Sequence, residues 1–381
     1  MPRWRKNVDI DNFYVYKEEE ALVIKTALII TPILAIMFKM PQVALLILGV
    51  VLMHVSLCSI PPSKSIAALS TRVRVVLFFV VSMSSALLLK CRWIVLGLML
   101  YGLWFLYIFY ILRKIERADE KLFRQPPKPD DCPICFLPLP LLGPGKRFNH
   151  CCGMTICSGC IHAPVYDDEG NEVDNDKCAF CRTPYPTTNE ELIELIQKRV
   201  EVNDAEAISH LGTHYRNGNF GLTKDCNKAL KLWKRAAKLG HVGSYFEIAM
   251  AYNGTYGQCV EKNVDKSIHY LELAAIGGDV DARGCLGNSE LREPRCPGDT
   301  ERALKHFTIA VEGGDAESLR EIRQLYSSGQ VSKDDYANAL SAYQRYLDEI
   351  RSTQRDEAAA YSDEYQYYGL HINNPNRIQC L

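Results

Sequence analysis

Acidic residues are missing from a long stretch of this 381-residue chain: no Asp or Glu occurs between residues 21 and 112. A surface helix of a globular domain needs a charged or polar face, which this stretch cannot supply. Its apolar runs are about 17 to 20 residues long, close to the length that crosses a hydrocarbon core of about 30 Å. We therefore predict about four transmembrane helices, with two as the alternative, in the runs Ala21 to Phe38, Val43 to Ile60, Val73 to Leu89 and Trp93 to Leu112.

The net charge of −1 hides an asymmetry between two parts of the chain. Residues 1–125 contain 16 Lys+Arg and 8 Asp+Glu, whereas residues 126–381 contain 28 and 37. The basic excess lies beside the apolar runs and the remainder is acidic, so we expect no nucleic-acid binding. By the positive-inside rule, the basic flanks predict a multi-pass membrane protein, with the lipid bilayer as a partner and both termini in the cytosol. The short runs favour a thin bilayer such as that of the endoplasmic reticulum.

Eight of the fifteen cysteines lie between residues 132 and 181, in three Cys-x-x-Cys pairs and a fourth group that also contains a histidine. Two thiolates three residues apart can hold one metal ion from a single tight turn, so this region predicts two tetrahedral Zn²⁺ sites. Pairing the groups in sequence order would give two independent fingers, and pairing them alternately would give interleaved sites. A disulfide framework is the alternative, but it requires an oxidising compartment. The candidate ligands are Cys132, Cys135, His150 or Cys151, Cys152, Cys157, Cys160, Cys178 and Cys181.

This arrangement resembles the RING family of zinc modules, and in particular the all-cysteine variant in the ubiquitin-ligase subunit of the CCR–NOT complex. The chain departs from the usual RING pattern because Met154 stands where a histidine ligand is normally found. Taking His150 and Cys152 as the second group repairs this departure, and Cys151 could replace His150. The resemblance implies alternate pairing, so that one ion is held by Cys132, Cys135, Cys157 and Cys160 and the other by His150, Cys152, Cys178 and Cys181.

A RING resemblance implies ubiquitin ligation without a catalytic nucleophile in the chain. Such a module docks a ubiquitin-conjugating enzyme charged with ubiquitin and holds its thioester in a reactive geometry. Position by position, Ile134 and Pro184 correspond to the docking surface. Arg182, next to the last ligand, corresponds to the basic residue that contacts both ubiquitin and the conjugating enzyme. Ile134 packing its own turn, and Arg182 as a solvated charge, are the alternatives.

An internal repeat follows the cysteine-rich region. The segments Arg235–Gly240, Leu273–Gly278 and Ile309–Gly314 recur at intervals of 38 and 36 residues, with small residues where two helices would pack closely. These features resemble Sel-one-like repeats, relatives of tetratricopeptide repeats, and such solenoids bind proteins. We predict about four helix pairs, with a distorted loop at Glu293–Gly298. Four further cysteines show no ligand spacing and are predicted to be ordinary thiols: Cys226, Cys259, Cys285 and Cys296.

The predicted protein is mainly α-helical: transmembrane helices, a cross-brace zinc module with short β-strands and one helix, and an α-solenoid. Its predicted function is a membrane-anchored RING-type ubiquitin ligase that recruits substrates through the repeats. The alternative is a zinc-stabilised membrane scaffold without ligase activity. A transporter is disfavoured because the apolar runs carry so few ionisable groups. The predicted segments are 1–20 (cytosolic), 21–112 (transmembrane), 113–130 (helix and Pro-rich linker), 131–186 (zinc module), 187–203 (connecting helix), 204–350 (repeats) and 351–381 (tail without assigned function).

Overall fold

The computed structural model describes residues 92–142, 145–163, 165–166, 172–173, 176–257, 260–292 and 299–368. One compact unit ends at Glu120 and another begins at Lys121. The boundary falls near the end of the first described helix, α1 (Arg92–Leu122). All described helices and strands after α1 belong to the unit that begins at Lys121.

Helix α1 contains the fourth predicted transmembrane run, Trp93 to Leu112. Its apolar run continues into a charged segment, where Arg113 and Glu116 form an ion pair at 3.5 Å, and its side chains Ile108 and Ile111 are buried. In the part of the chain that the structure describes, no helix is both long enough and apolar enough to cross a membrane. The predicted multi-pass membrane location, with its cytosolic orientation and endoplasmic-reticulum membrane, is therefore wrong. The predicted runs at 21–38, 43–60 and 73–89 lie outside the described residues.

The cysteine-rich region is built from short elements. Strands β1 (Lys146–Asn149) and β2 (Met154–Cys157) form an antiparallel hairpin, and β2 leads directly into α2 (Ser158–His162). A second antiparallel pair consists of β3 (Val165–Tyr166) and β4 (Glu172–Val173). Strands this short bury little apolar surface. Strand pairing alone therefore cannot stabilise this region, and further interactions are needed.

Helix α3 (Asn189–Glu201) connects this region to the repeats. The Thr188 hydroxyl accepts a hydrogen bond from Glu191 N, while the Glu191 carboxylate accepts one from Thr187 N. The predicted cap is therefore present, with the glutamate bonding one residue earlier than in a standard capping box. At the other end of α3, Arg199 Nε donates to the His150 carbonyl oxygen at 3.3 Å.

The repeats are successive pairs of helices that pack side by side. Most of them begin at an Asp, Asn or Ser side chain that accepts a backbone N–H, for example Asp204, Asp225 and Asn263. Alanines at helix contacts, among them Ala229 and Ala303, are completely buried. The helices are α4 (Ala205–Asn217), α5 (Cys226–Lys238), α6 (Gly243–Asn253), α7 (Val264–Gly277), α8 (Val280–Arg292), α9 (Asp299–Glu312), α10 (Ala316–Ser327) and α11 (Lys333–Ile350).

Two of the four cysteines in the repeats differ from their prediction. Cys226 and Cys285 are disulfide-bonded, so their prediction as ordinary thiols is wrong. Cys259, Cys296 and the loop Glu293–Gly298 lie outside the described residues.

The tail beyond the repeats has a structural role that the sequence did not indicate. It forms α12 (Thr353–Tyr361) and a short 3₁₀ helix, Asp363–Tyr365. Helix α12 packs against α2 of the cysteine-rich region at Gly159, where an added Cβ would lie 2.8 Å from Arg355 N. The chain thus returns to the cysteine-rich region after passing through all the repeats.

Candidate metal centre

The first Cys-x-x-Cys pair lies in a tight backbone turn. Phe136 N donates to the Cys132 carbonyl at 2.9 Å, and Cys132 N donates to the Leu137 carbonyl at 2.9 Å. Phe136 adopts a positive φ of 58°, which directs the chain back on itself directly after Cys135. Both thiols are thereby presented from the same side of one short loop.

The last Cys-x-x-Cys pair repeats this turn 46 residues later. Arg182 N donates to the Cys178 carbonyl and Cys178 N donates to the Thr183 carbonyl, each at 2.9 Å. Arg182 has a φ of 59°, the counterpart of Phe136. Two segments of different sequence therefore adopt one hydrogen-bonded turn, which indicates that thiol presentation determines their shape.

The eight thiols form two clusters, and in each cluster all sulfur atoms lie within 4.8 Å of one another. The first and third pairs of the sequence meet in one cluster, and the second and fourth groups meet in the other, which is the alternate order. The first thiol cluster consists of Cys132, Cys135, Cys157 and Cys160, and the second thiol cluster of Cys151, Cys152, Cys178 and Cys181.

The sulfur separations fit a tetrahedral zinc ion. With Zn–S bonds of about 2.3 Å, sulfur atoms at the corners of a tetrahedron lie about 3.8 Å apart. Cys135 and Cys157 sulfurs are 3.7 Å apart in the first cluster. In the second cluster, Cys152 lies 3.9 Å from Cys178, and Cys151 lies 3.4 Å from Cys181. The donor set and its spacing suit two Zn²⁺ ions, whose contribution would be to hold the fold.

The thiols also need a cation for electrostatic reasons. Burial raises the pKa of Cys152 to about 11 and, together with the nearby Cys132 thiol, that of Cys160 to about 12, whereas the hydrogen bond with Cys157 lowers the pKa of Cys132 to about 4, so only part of each cluster ionises readily. Four adjacent thiolates would repel one another, so the clusters cannot ionise fully by themselves. A divalent cation removes this obstacle because it favours the thiolate form of each ligand.

His150 does not lie with the predicted ligands, and this corrects the ligand set. Its ring packs edge-on against Phe148 and His210, with centroids 5.1 and 5.3 Å away. Burial lowers the pKa of His150 to about 3, so the ring is neutral. The neighbouring Cys151 occupies the fourth position of the second cluster, which is the alternative that the sequence left open. Sequence spacing could not separate two adjacent candidates.

Arg355 of α12 is the residue of the site that sequence reasoning missed. Its side chain is completely buried, and its Nη1 atom donates to the carbonyls of Pro138 at 2.9 Å and Ile350 at 2.6 Å. Its Nη2 atom lies 3.9 Å from Cys135 Sγ and 3.4 Å from the Leu137 carbonyl. A zinc ion with four thiolates carries a net charge of −2, so a buried guanidinium beside one thiolate stabilises the first cluster.

The residues predicted to contact a conjugating enzyme are all exposed. Ile134 is 37% exposed, and Arg182 and Pro184 lie on the surface of the last turn. The structure adds two aromatic side chains: Phe136, which is 76% exposed, and Phe180, which is 44% exposed. Phe180 has the same position in the last turn as Ile134 has in the first turn: each directly precedes the second cysteine of its pair. Comparing the two turns residue by residue would have identified it.

Zinc content after exposure to a chelator should separate Cys151 from His150. We expect two Zn²⁺ per chain in the unaltered protein and in His150→Ala, because the imidazole is not a ligand. Cys151→Ala should retain one, because three thiolates hold the second ion much less tightly than four. Inductively coupled plasma mass spectrometry on the full chain measures this directly. Loss of one ion in His150→Ala with retention of both in Cys151→Ala would contradict the assignment.

Comparison with known proteins identifies the helix pairs. The Sel1 repeat family matches residues 205–241, 244–279 and 287–315. These helix pairs are Sel1 repeats. Sel1 repeats form helical regions for protein–protein interaction, and the described repeats take that form here. The prediction of a helical-repeat region is thus confirmed.

Three proteins from bacteria are similar to this chain. An uncharacterized protein of Neisseria meningitidis serogroup B is 25% identical over 198 residues, which is 49% of this chain. The chain spans only 39% of that relative's length. A Sel1 repeat protein from Oxalobacter formigenes is 23% identical, with a TM-score of 0.36 over 48% of this chain and 74% of the solved one. A protective antigen of uropathogenic Escherichia coli, described as displaying an SLR fold, is 15% identical, with a TM-score of 0.34 over 52% and 47% of the two chains.

Proposed function

We propose that this protein is a RING-type ubiquitin ligase in which the Sel1 repeats recruit protein substrates. The observation that carries the proposal is the alternate pairing of the two thiol clusters, combined with exposed apolar side chains on both equivalent turns and the exposed Arg182 on the last turn. A ligase of this kind needs no nucleophile of its own. It accelerates transfer by holding a charged conjugating enzyme and its ubiquitin in one orientation.

The exposure and charge of the side chains on the two turns indicate a separate role for each of them. Ile134, Phe180 and Pro184 provide apolar surface for the conjugating enzyme. Arg182 provides five fixed donors that can bridge backbone carbonyls of two partners. Its positive φ, 59°, is set by the turn, so the cysteine pair orients the arginine. Bound zinc would make the turns rigid and would take no part in the reaction itself.

A second candidate is an adaptor without ligase activity, and one observation favours it. The cysteine-rich region is bonded to the helices that follow it at several points: Leu141 N donates to the Tyr346 hydroxyl of α11 at 3.1 Å, Arg199 of α3 donates to the His150 carbonyl, and Arg355 of α12 donates to the Pro138 carbonyl. A zinc-stabilised cap of a repeat array would show the same contacts. The two functions differ in whether ubiquitin leaves a charged conjugating enzyme.

Single-turnover discharge of ubiquitin from a charged conjugating enzyme onto free lysine tests the proposal. Adding the full chain should accelerate discharge, and Ile134→Ala and Arg182→Ala should each reduce that acceleration about tenfold, or about 1.4 kcal/mol of lost transition-state stabilisation. Matched controls are Val202→Ala and Arg323→Ala, since both residues are exposed and lie outside the cysteine-rich region. Equal rates in the two test variants and the controls would remove the docking assignment. No acceleration with any of a panel of conjugating enzymes would favour the adaptor.

A further inference from the structure

Helix α5 differs in charge from the rest of the repeats. From Lys224 to Lys238 the chain has six basic residues and one acidic residue, Asp225. The carboxylate of Asp225 is used locally, because it accepts a hydrogen bond from Lys228 N at 2.9 Å as the cap of α5. From residue 239 to residue 350 the balance reverses, with 11 basic and 18 acidic residues. A concentrated positive surface therefore lies at the start of an otherwise acidic array.

The lysines of α5 lie on one face of the helix. The opposite face is buried against neighbouring helices through Ala229, Trp233 and Ala237. Spacings of three and four residues bring the lysines together along about 15 Å of helix axis. We call this surface the basic stripe; it consists of Lys228, Lys231, Lys234 and Lys238.

The basic stripe has no counter-charge within the described residues. Two surface lysines elsewhere are paired along their own helices, Lys198 with Glu194 at 4.0 Å and Lys305 with Glu301 at 2.7 Å. None of the four ammonium groups of the stripe forms such a pair in the part of the chain that the structure shows. Like charges three and four residues apart each destabilise a helix by about 0.2–0.5 kcal/mol. The stripe thus opposes folding, and a bound anionic partner would relieve that cost.

Tyrosines from adjacent helices hold two of these lysines in place. Lys228 Nζ donates to the Tyr215 hydroxyl, and Lys234 Nζ donates to the Tyr252 hydroxyl at 3.3 Å. Tyr252 in turn stacks on Tyr270, with centroids 5.8 Å apart and rings 6° from parallel. Each of these hydroxyl oxygens accepts a hydrogen bond from its lysine, and its own O–H can still donate a hydrogen bond to a carboxylate. The surface therefore presents fixed cations beside additional donors.

We propose that the basic stripe binds a short acidic segment of a partner protein. Its length corresponds to about four or five residues of extended polypeptide at about 3.3 Å each. A nucleic acid would extend its phosphates over the acidic remainder of the repeats, so a polypeptide fits the charge distribution better. This assignment specifies the substrate or partner class within the proposed function and rests on the protein-binding role of the repeats, not on ubiquitin transfer.

Fluorescence anisotropy with the full chain tests the proposal. The probe is a labelled ten-residue peptide of alternating Glu and Gly, and its Glu→Gln counterpart is the neutral probe. The test variant is Lys228→Glu/Lys231→Glu/Lys238→Glu. The matched control, Arg323→Glu/Lys333→Glu/Arg345→Glu, makes the same change in net charge at exposed residues of α10 and α11.

At 50 mM salt we expect the acidic probe to bind and the neutral probe not to bind. The test variant should weaken binding at least tenfold and the control less than twofold, and higher salt should weaken binding by screening. Equal effects of the two variants, absence of binding, or tighter binding of a single-stranded oligonucleotide of ten nucleotides would overturn the proposal. Binding is measured without ubiquitin, so a chain that binds the probe but transfers no ubiquitin would reject the ligase alone.

Discussion

Replacement of Arg355 by methionine is expected to lower the free energy of unfolding by about 3–5 kcal/mol, because it removes one member of a buried charged contact. The variant leaves the carbonyls of Leu137, Pro138 and Ile350 without the guanidinium that bonds them. It also leaves the thiolates of the first cluster without their buried counter-charge. Urea unfolding monitored by circular dichroism measures the stability. We further expect one of two zinc ions to be released faster to a chromogenic chelator.

The neighbouring Arg351 is the control. It is 70% exposed and pairs with Asp356 at 3.1 Å in solvent, so Arg351→Met should leave the stability almost unchanged. Arg355→Lys keeps the charge but cannot bond several carbonyls at once, and it should fall between the wild type and Arg355→Met. Equal stability and equal zinc release in Arg355→Met and Arg351→Met would show that α12 does not brace the metal centre.

Substitution of Gly314 by alanine should destabilise the protein by about 3 kcal/mol. Gly314 ends α9 with a φ of +90°, a conformation that disfavours any side chain. Its added methyl group would also collide with the ring of Tyr346, which is buried and accepts the hydrogen bond from Leu141. Backbone strain and overpacking each cost about 1–3 kcal/mol. Thermal unfolding of the full chain measures the effect.

The substitution Gly329→Ala separates the effect of backbone strain from the effect of overpacking on the stability. Gly329 has a similar φ of +75°, but an added Cβ there meets no atom within 4 Å. Gly329→Ala should therefore cost only the backbone strain, about 1 kcal/mol. If both substitutions cost the same, the close packing of Tyr346 beneath Gly314 does not contribute to stability.

The repeats could be predicted from sequence because their determinants are local. Small residues at Ala229 and Ala303, capping side chains and terminal glycines recur at fixed intervals, and each acts within its own helix pair. The alternate grouping of cysteines came from a family resemblance and not from spacing, since spacing alone also permits sequential fingers.

The parts that sequence did not predict depend on distant contacts. Arg355 bonds Pro138 across 217 residues, and no periodic pattern marks such a pair. The choice between His150 and Cys151 depends on packing against His210 of the first repeat. The membrane prediction failed for a different reason. It rested on run length and the absence of acidic residues alone, and three of its four runs lie outside the described residues, in which no membrane-spanning helix is found.

Autoubiquitination by the full chain tests the central claim most directly. The purified protein is combined with ubiquitin, an activating enzyme and a panel of conjugating enzymes, and zinc content is determined on the same sample. The account predicts ubiquitin chains with at least one conjugating enzyme and their loss in Cys132→Ala, whose first thiol cluster is incomplete. Two Zn²⁺ per chain without ubiquitin transfer across the whole panel would contradict the ligase and leave a zinc-stabilised Sel1 repeat adaptor.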